Sequence, residues 1–294
     1  MATPQLKFVQ CLGAAGLHRM AYWEWAYTGS EPTTATAPTL VCVHGLSRQG
    51  RDFDTLAQAM TDRYRVISAD VVGRGKSDWL AHPAGYQIPA YVADMVSLIA
   101  RLDVAEVDWV GTSMGGLIGM GLAALPNSPV RRLVLNDVGP TIRYEALLRI
   151  GSYLGQPLRF DSAEAGAAYL QSISAGFGPH SAAQWAALSA PMFKSDGAQL
   201  RLHYDPKIAE PFKAVTPELS AQGEAALWRA YDAIHCPTLL LHGADSDLLS
   251  ADTAAAMQQR GPRARLVDFA GVGHAPTLMQ ADQVAAVREF LQPS

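Results

Sequence analysis

The sequence predicts an α/β fold, a mostly parallel sheet with helices on both faces and a helical cap inserted over its C-terminal edge. Three observations carry this expectation. Short continuous apolar runs alternate with stretches of helical spacing, the pattern of strands covered on both faces and joined by helices. The alternation stops between about residue 141 and residue 232 and then resumes. A serine stands between one apolar run and the next helical stretch, in Gly111-Thr112-Ser113-Met114-Gly115-Gly116.

The elements follow in order. Arg19–Tyr27 is aromatic and partly alternating, a strand, and Gly29–Pro38 is a turn rich in Thr, Pro and Ala. Thr39–Val43 is a continuous apolar strand. Phe53–Met60 has helical spacing, with Phe53, Leu56, Ala57 and Met60 on one side. Arg65–Ala69 is a buried strand. Tyr91–Leu102 is a helix whose stripe is Val92, Met95, Val96, Ile99 and Leu102. The strand Val107–Val110 leads into the serine, a glycine-rich helix follows, and Arg132–Leu135 is the next strand.

From Thr141 to Asp232 the chain is helix-compatible but broken by Pro157, Pro179, Pro191, Pro206, Pro211 and Pro217. The rhythm then returns with the strand Thr238–Leu241, the helix Ala251–Gln259 and the strand Arg265–Phe269. A closing helix, Asp282–Leu291, places Val284, Val287, Phe290 and Leu291 on one face. Residues 1–140 and 233–294 are therefore expected to form the core domain, and 141–232 a cap. No internal repeat is visible.

Composition narrows the function classes. The 294 residues suit one large domain, and a chain of this size buries roughly 75% of its unfolded surface without a disulfide or metal staple. Twenty-three basic residues against 27 acidic give a net charge of −4. With no basic run or stripe, neither nucleic acid nor an anionic membrane is an expected partner. Cys11, Cys42 and Cys236 form no C-x-x-C pair, and an odd number argues against a disulfide framework. The opening MATPQLKFVQ has no secretory pattern, and no apolar run approaches the roughly 18 residues of a spanning helix. The expected compartment is the cytoplasm. Oligomeric state is not legible.

The chemistry begins at Ser113. A serine on a hairpin-sharp strand-to-helix turn leaves no room for side chains two positions away, and glycine stands at both. Gly115, Gly116, Gly119 and Gly121 follow in a helix where each costs about 1 kcal/mol relative to alanine. Such a helix is expected to press against a sheet. Serine is a weak nucleophile at neutral pH and needs a base and an orienting acid. The base candidate is His274, in Gly271-Val272-Gly273-His274-Ala275-Pro276, directly after the last strand. His18, His82, His180, His203 and His235 have no supporting context, whereas His44 and His242 each precede a glycine at a strand end.

The acid is expected after Thr238–Leu241, where Asp247 is preferred to Asp245. Asp137, after the strand 132–135, is a third candidate for the same rim. An oxyanion hole needs two backbone N–H groups aimed at one point. Met114, at a helix N-terminus, supplies one, and Gly45 permits the Leu46 N–H to supply the other.

These pieces, in the order Ser113, Asp247, His274, resemble the α/β-hydrolase superfamily over nearly the whole chain. The resemblance includes His44-Gly45, the loop Asp70-Val71-Val72-Gly73-Arg74-Gly75-Lys76-Ser77 with its D-x-x-G-x-G-x-S pattern, the Ser113 turn, Gly243–Asp247 and Gly273-His274. It implies an eight-stranded, mostly parallel sheet and a two-step acyl-enzyme mechanism. Within the superfamily the chain looks like bacterial serine esterases, lactonases and polyester-oligomer hydrolases. It departs in carrying two aspartates in the acid loop.

The expected substrate is a small-molecule carboxylic ester, possible members being lactones and polyester oligomers. The alternatives are a carbon–carbon bond hydrolase, an enol-lactonase or a cofactor-free haloperoxidase of the same fold, and, in another class, a ligand sensor without turnover. Pocket candidates are His44, Arg48, Trp185, Met192, Phe193 and Trp228. Gly75-Lys76-Ser77 mimics the end of a phosphate-binding loop, but Asp70 stands where the first glycine is required. No cofactor is expected, and no metal-ligand motif is present in the spacing of Cys and His.

Overall fold

The computed structural model describes residues 3–29 and 37–292. Most of the Gly29–Pro38 turn lies outside the described residues. Eight strands form one sheet: β1 (Gln5–Gly13), β2 (Gly16–Trp25), β3 (Thr39–Val43), β4 (Arg65–Asp70), β5 (Val107–Thr112), β6 (Val130–Asn136), β10 (Thr238–Gly243) and β11 (Arg265–Phe269). Their spatial order is β1-β2-β4-β3-β5-β6-β10-β11. β1 and β2 form an antiparallel hairpin, β2 runs antiparallel to β4, and every other pairing is parallel.

Why these runs are strands is visible in their burial. β3 is buried throughout, Val41 and Val43 facing one core and Leu40 and Cys42 the other. A period of two sends successive side chains to opposite faces, so a strand with helices on both sides must be apolar without interruption. The hairpin at the sheet edge obeys a weaker rule. In β1, Val9 and Cys11 are buried while Leu6, Phe8 and Leu12 are exposed. That mixed pattern hides the strand from a reading of periodicity, which finds only β2 and places it at Arg19–Tyr27.

Helices α2 (Ile88–Leu102) and α3 (Met114–Ala123) cover one face, and α1 (Asp54–Met60), α9 (Ala251–Met257) and α10 (Ala281–Phe290) complete the alternation. Leu56, Met60, Val287 and Leu291 pack with Val110, Val134, Leu239 and Leu241 in one core. In α2 the buried arc is Tyr91, Met95, Leu98, Ile99 and Leu102. Val96, expected in the stripe, is 48% exposed. The helix begins three residues before Tyr91, and positions 91, 95, 98 and 102 trace the inner face one step away from Val96.

Between β6 and β10 lie α4 (Tyr144–Tyr153), β7 (Arg159–Phe160), α5 (Ala163–Ile173), α6 (Ala182–Ser189), β8 (Phe193–Asp196), β9 (Gln199–Leu202), α7 (Glu210–Lys213) and α8 (Pro217–Asp232). The three strands make a small antiparallel sheet in the order β7-β9-β8, in a stretch expected to be helical. Its hairpin turns through Gly197-Ala198, with Gly197 at φ 66° and Asp196 opposite Gln199. Glycine at the first of two loop residues is a hairpin signal whose force comes from its tolerance of positive φ. Among the described residues, no helix is long and apolar enough to cross a membrane.

Candidate active site

Ser113 sits where β5 ends and α3 begins, at φ 51° and ψ −116°. A serine in this region is strained, and surrounding structure must hold it there. Its N–H donates to the Asn136 carbonyl at the end of the neighbouring strand, at 3.0 Å. A Cβ on Gly111 would run into the Gly115 carbonyl, and one on Gly115 would run into the carbonyl of Val43. Glycine is thus required on both sides of Ser113 by backbone proximity. Gly116 and Gly119 lie against Val138 and Trp109, so the glycine-rich helix does press on the sheet.

The Nε2 of His274 lies 2.9 Å from Ser113 Oγ, and its Nδ1 lies 2.7 Å from Asp137 Oδ2. Asp137 is fully buried and held by the loop after β10. Its Oδ1 accepts the Gly243 N–H at 2.8 Å, its Oδ2 accepts the Ser246 hydroxyl at 2.6 Å, and its own N–H donates to Leu241 at 2.8 Å. The carboxylate facing the imidazole is therefore Asp137 and not Asp247. Asp247 is exposed and paired with Arg149 at 2.7 Å. Asp245 is exposed too, and its N–H donates to the Val272 carbonyl. The reason lies in the loop chemistry: the segment 243–247 turns hydrogen-bond donors toward the rim and its two carboxylates toward solvent. Asn136, which sequence reasoning missed, ties the ends of β5 and β6 to the loop that carries His274 by donating to Thr112 Oγ1 and the Pro276 carbonyl.

Leu46, Ser113 and Met114 border one cavity of about 350 Å³. Two buried side chains fix the loops that carry Leu46 and Met114. The Nε2 of His44 accepts the Val71 N–H at 3.0 Å, so its Nδ1 carries the proton and donates to the Gly45 carbonyl at 2.7 Å. Burial, and then the charges of Arg74 and Arg48, push the His44 pKa down to about 3. Arg74 is fully buried and pairs with no carboxylate among the described residues. Its guanidinium donates to the Leu46 and Val72 carbonyls, both at 2.8 Å, and to Tyr91 Oη at 3.0 Å, and lies 3.5 Å from Met114 Sδ. The rings of Tyr86 and Tyr91 face it at 5.6 and 5.2 Å, which replaces part of the lost hydration.

The cavity wall is apolar, with Leu117, Val138, Ile142, Leu147, Ile150 and Phe212 among its residues. None of the six pocket residues expected from sequence lines it. His44 and Arg48 border a separate small cavity with Thr112 and Thr277, and Arg48 is engaged by Asp52 at 2.6 Å and by the Leu188 carbonyl. Trp185 stacks on Phe177, Trp228 packs on Tyr231, Phe193 packs on Phe160, and Met192 is buried in the core. The tryptophans of residues 141–232 pack on neighbouring rings, whereas Leu147, Ile150 and Phe212 of the same stretch line the cavity at the serine.

The Asp70–Ser77 loop is a structural knot. Asp70 accepts the N–H groups of Gly50 and Lys76, and Ser77 donates to the Asp70 carbonyl at 2.5 Å. Cys11, His18 and Asp94 converge away from the serine, with a 3.0 Å hydrogen bond between His18 and Asp94 tying β2 to α2.

The family described as alpha/beta hydrolase fold matches residues 38–278. The chain is 55% identical over 293 residues to a 3-hydroxybutyrate-oligomer hydrolase of Cupriavidus necator, covering 98% of each. It resembles the solved structure of an alpha/beta hydrolase from Novosphingobium aromaticivorans with a TM-score of 0.85 and 33% identity, covering 99% of both chains. A thermophilic esterase from Thermogutta terrifontis shares the fold at a TM-score of 0.70 and 20% identity, over 98% of each chain.

Proposed function

The chain belongs to the alpha/beta hydrolase fold family and is an ester hydrolase, and on that premise we propose that Ser113, His274 and Asp137 form its catalytic triad. The observation that carries this reading is the continuous hydrogen-bonded line from Ser113 Oγ through His274 to Asp137, at 2.9 and 2.7 Å. In the proposed mechanism His274 Nε2 takes the Ser113 proton as Oγ attacks the ester carbonyl. The Leu46 and Met114 amides hold the oxyanion. His274 then protonates the leaving alcohol. Water, losing its proton to the same imidazole, releases the acid and restores Ser113. Asp137 keeps the Nδ1 proton in place and stabilises the imidazolium. The acceptor geometry supports it: the Gly243 N–H, the Ser246 hydroxyl and the His274 imidazole all converge on the Asp137 carboxyl.

The substrates we propose are short oligomeric esters of 3-hydroxybutyrate, the class named for the Cupriavidus relative. The apolar cavity beside Ser113 suits an acyl unit with a methyl branch. Residues 141–232 act as the cap: Leu147, Ile150 and Phe212 wall the cavity, and the Gly176 carbonyl accepts the Gly273 N–H beside His274 at 2.6 Å. Cys11, Cys42 and Cys236 are free thiols, which supports work in the reducing cytoplasm.

The test is release of 3-hydroxybutyrate from synthetic dimer and trimer by the wild-type protein and by Ser113→Ala. Monomer release by the wild type, abolished in a folded Ser113→Ala variant, is expected. Undiminished turnover in the variant would overturn the triad, and cleavage of simple esters without cleavage of oligomers would overturn the substrate class.

A further inference from the structure

A second cavity, of about 670 Å³, lies among α5, α6 and the β8–β9 hairpin, with Lys76 on its wall. Its floor is apolar, formed by Ala163, Ala167, Ala186, Phe193 and Leu200. Its rim carries two ammonium groups, Lys76 and Lys194, beside the imidazole of His203, and Glu164, exposed at the start of α5, is the one carboxylate in the lining among the described residues.

Lys76 and Lys194 make no ion pair with a carboxylate among the described residues. Lys194 stands directly opposite Arg201 in the β8–β9 ladder, an arrangement of like charges that destabilises a hairpin. Both rest on the Trp79 ring, at 4.1 and 5.2 Å. Arg201 likewise pairs with no carboxylate among the described residues, and its Nε is buried without a partner. The nearby carboxylates are otherwise engaged, Asp196 by Arg159 and Asp205 by Tyr86 and the Lys207 N–H. Burial, followed by the charges of Lys76 and Lys194, pushes the His203 pKa down to about 4. By contrast no Lys or Arg among the described residues lines the cavity at Ser113, and Arg74 behind its wall is already engaged by the Leu46 and Val72 carbonyls and Tyr91. The two cavities share one loop, with Arg74 facing the serine side and Lys76 the other, and the Gly75 N–H donates to the His203 carbonyl at 3.1 Å.

We propose that the cavity rimmed by Lys76, Lys194 and His203 binds the carboxylate end of acid-terminated aliphatic ester chains. The apolar floor takes the hydrocarbon and the rim takes the charge. In its link to turnover this inference rests on the ester-oligomer reading above. It makes the enzyme selective for chains with a free acid terminus.

Two measurements test it. In the first, trimers of 3-hydroxybutyrate ending in a free carboxylate or in a methylamide are compared as substrates. The wild type should favour the acid by about tenfold in kcat/KM, the size of one charge-assisted hydrogen bond. The double variant Lys194→Met, His203→Gln, shown to be folded by its unfolding temperature, should bring that ratio to about one. Equal rates in the wild type, or an unaltered ratio in the variant, would overturn the proposal while leaving the oligomer reading intact. In the second, hexanoate and hexanamide are titrated against the protein by calorimetry. Binding of hexanoate and not hexanamide, lost in the double variant, supports the site even if no oligomer is cleaved. Equal binding of the two, or none, would sink it.

Discussion

His274 Nδ1 and Asp137 Oδ2 meet at 2.7 Å although 137 residues separate them. Asp137 follows β6, the strand next to β5, so Ser113 and Asp137, the proposed nucleophile and acid, leave adjacent strands. The expected outcome of Asp137→Asn is a fall of about 10⁴-fold in kcat with the fold intact, because the amide permits the wrong imidazole tautomer. Asp247→Asn, at an exposed ion pair with Arg149, should leave kcat near wild type. Steady-state kinetics on a chromogenic short-chain ester, run beside circular dichroism, check both, and the reverse ranking would return the role to Asp247.

Gly115→Ala tests the close approach of α3 to β3. The added methyl has the Val43 carbonyl in its way, and backbone cannot swing aside as a flexible side chain can. Overpacking of this kind costs about 1–3 kcal/mol. Thermal unfolding should show the loss, and turnover should fall with it, since Ser113 and the Met114 amide ride on the same turn. A variant as stable and active as wild type would contradict the geometry.

Arg74 reaches both loops that border the serine. Arg74→Met removes the donors to Leu46, Val72 and Tyr91, and displacement of the Leu46 amide should lower kcat by up to about 100-fold, the effect of a misplacement near 1 Å. KM should change much less. Arg74→Lys cannot reproduce the planar fork and should recover only part of the rate. A rise in KM at constant kcat would instead make Arg74 a substrate-binding residue.

His44 links stability to pH. Its pKa is 6.5 in ordinary surroundings and about 3 in the folded protein. Between those values the unfolded chain holds a proton that the native state does not. Stability from this group is therefore complete above pH 6.5 and is lost as pH falls toward 3. Urea midpoints at pH 7 and pH 4 should fall farther apart for wild type than for His44→Gln. Parallel shifts in the two proteins would show that His44 is not held neutral by the fold.

Local sequence determined a good deal. The unbroken apolar runs of β3, β4 and β10 and the glycines around Ser113 obey constraints that act within a few residues, so the strands and the sharp turn at Ser113 were legible. The place of His274 at the same rim was legible for the same reason, since it follows a glycine after the last strand. The hairpin strand β1 and the small sheet β7-β9-β8 were not, because edge and two-sided strands relax the alternation that periodicity detects.

Tertiary structure alone decided which carboxylate meets the imidazole and which side chains wall the cavity. Asp137, Asp245 and Asp247 all leave strand ends at one rim, and nothing within a few residues of each distinguishes them. The choice follows from sheet order, which sets Asp137 against the donors of Gly243 and Ser246 and turns the other two outward. Likewise Trp185 and Trp228 carry the strongest apolar signal in residues 141–232 and pack on Phe177 and Tyr231, leaving Leu147, Ile150 and Phe212 to line the cavity at Ser113. Which surface a helix presents to which neighbour is fixed by contacts distant in sequence, and no local pattern encodes it.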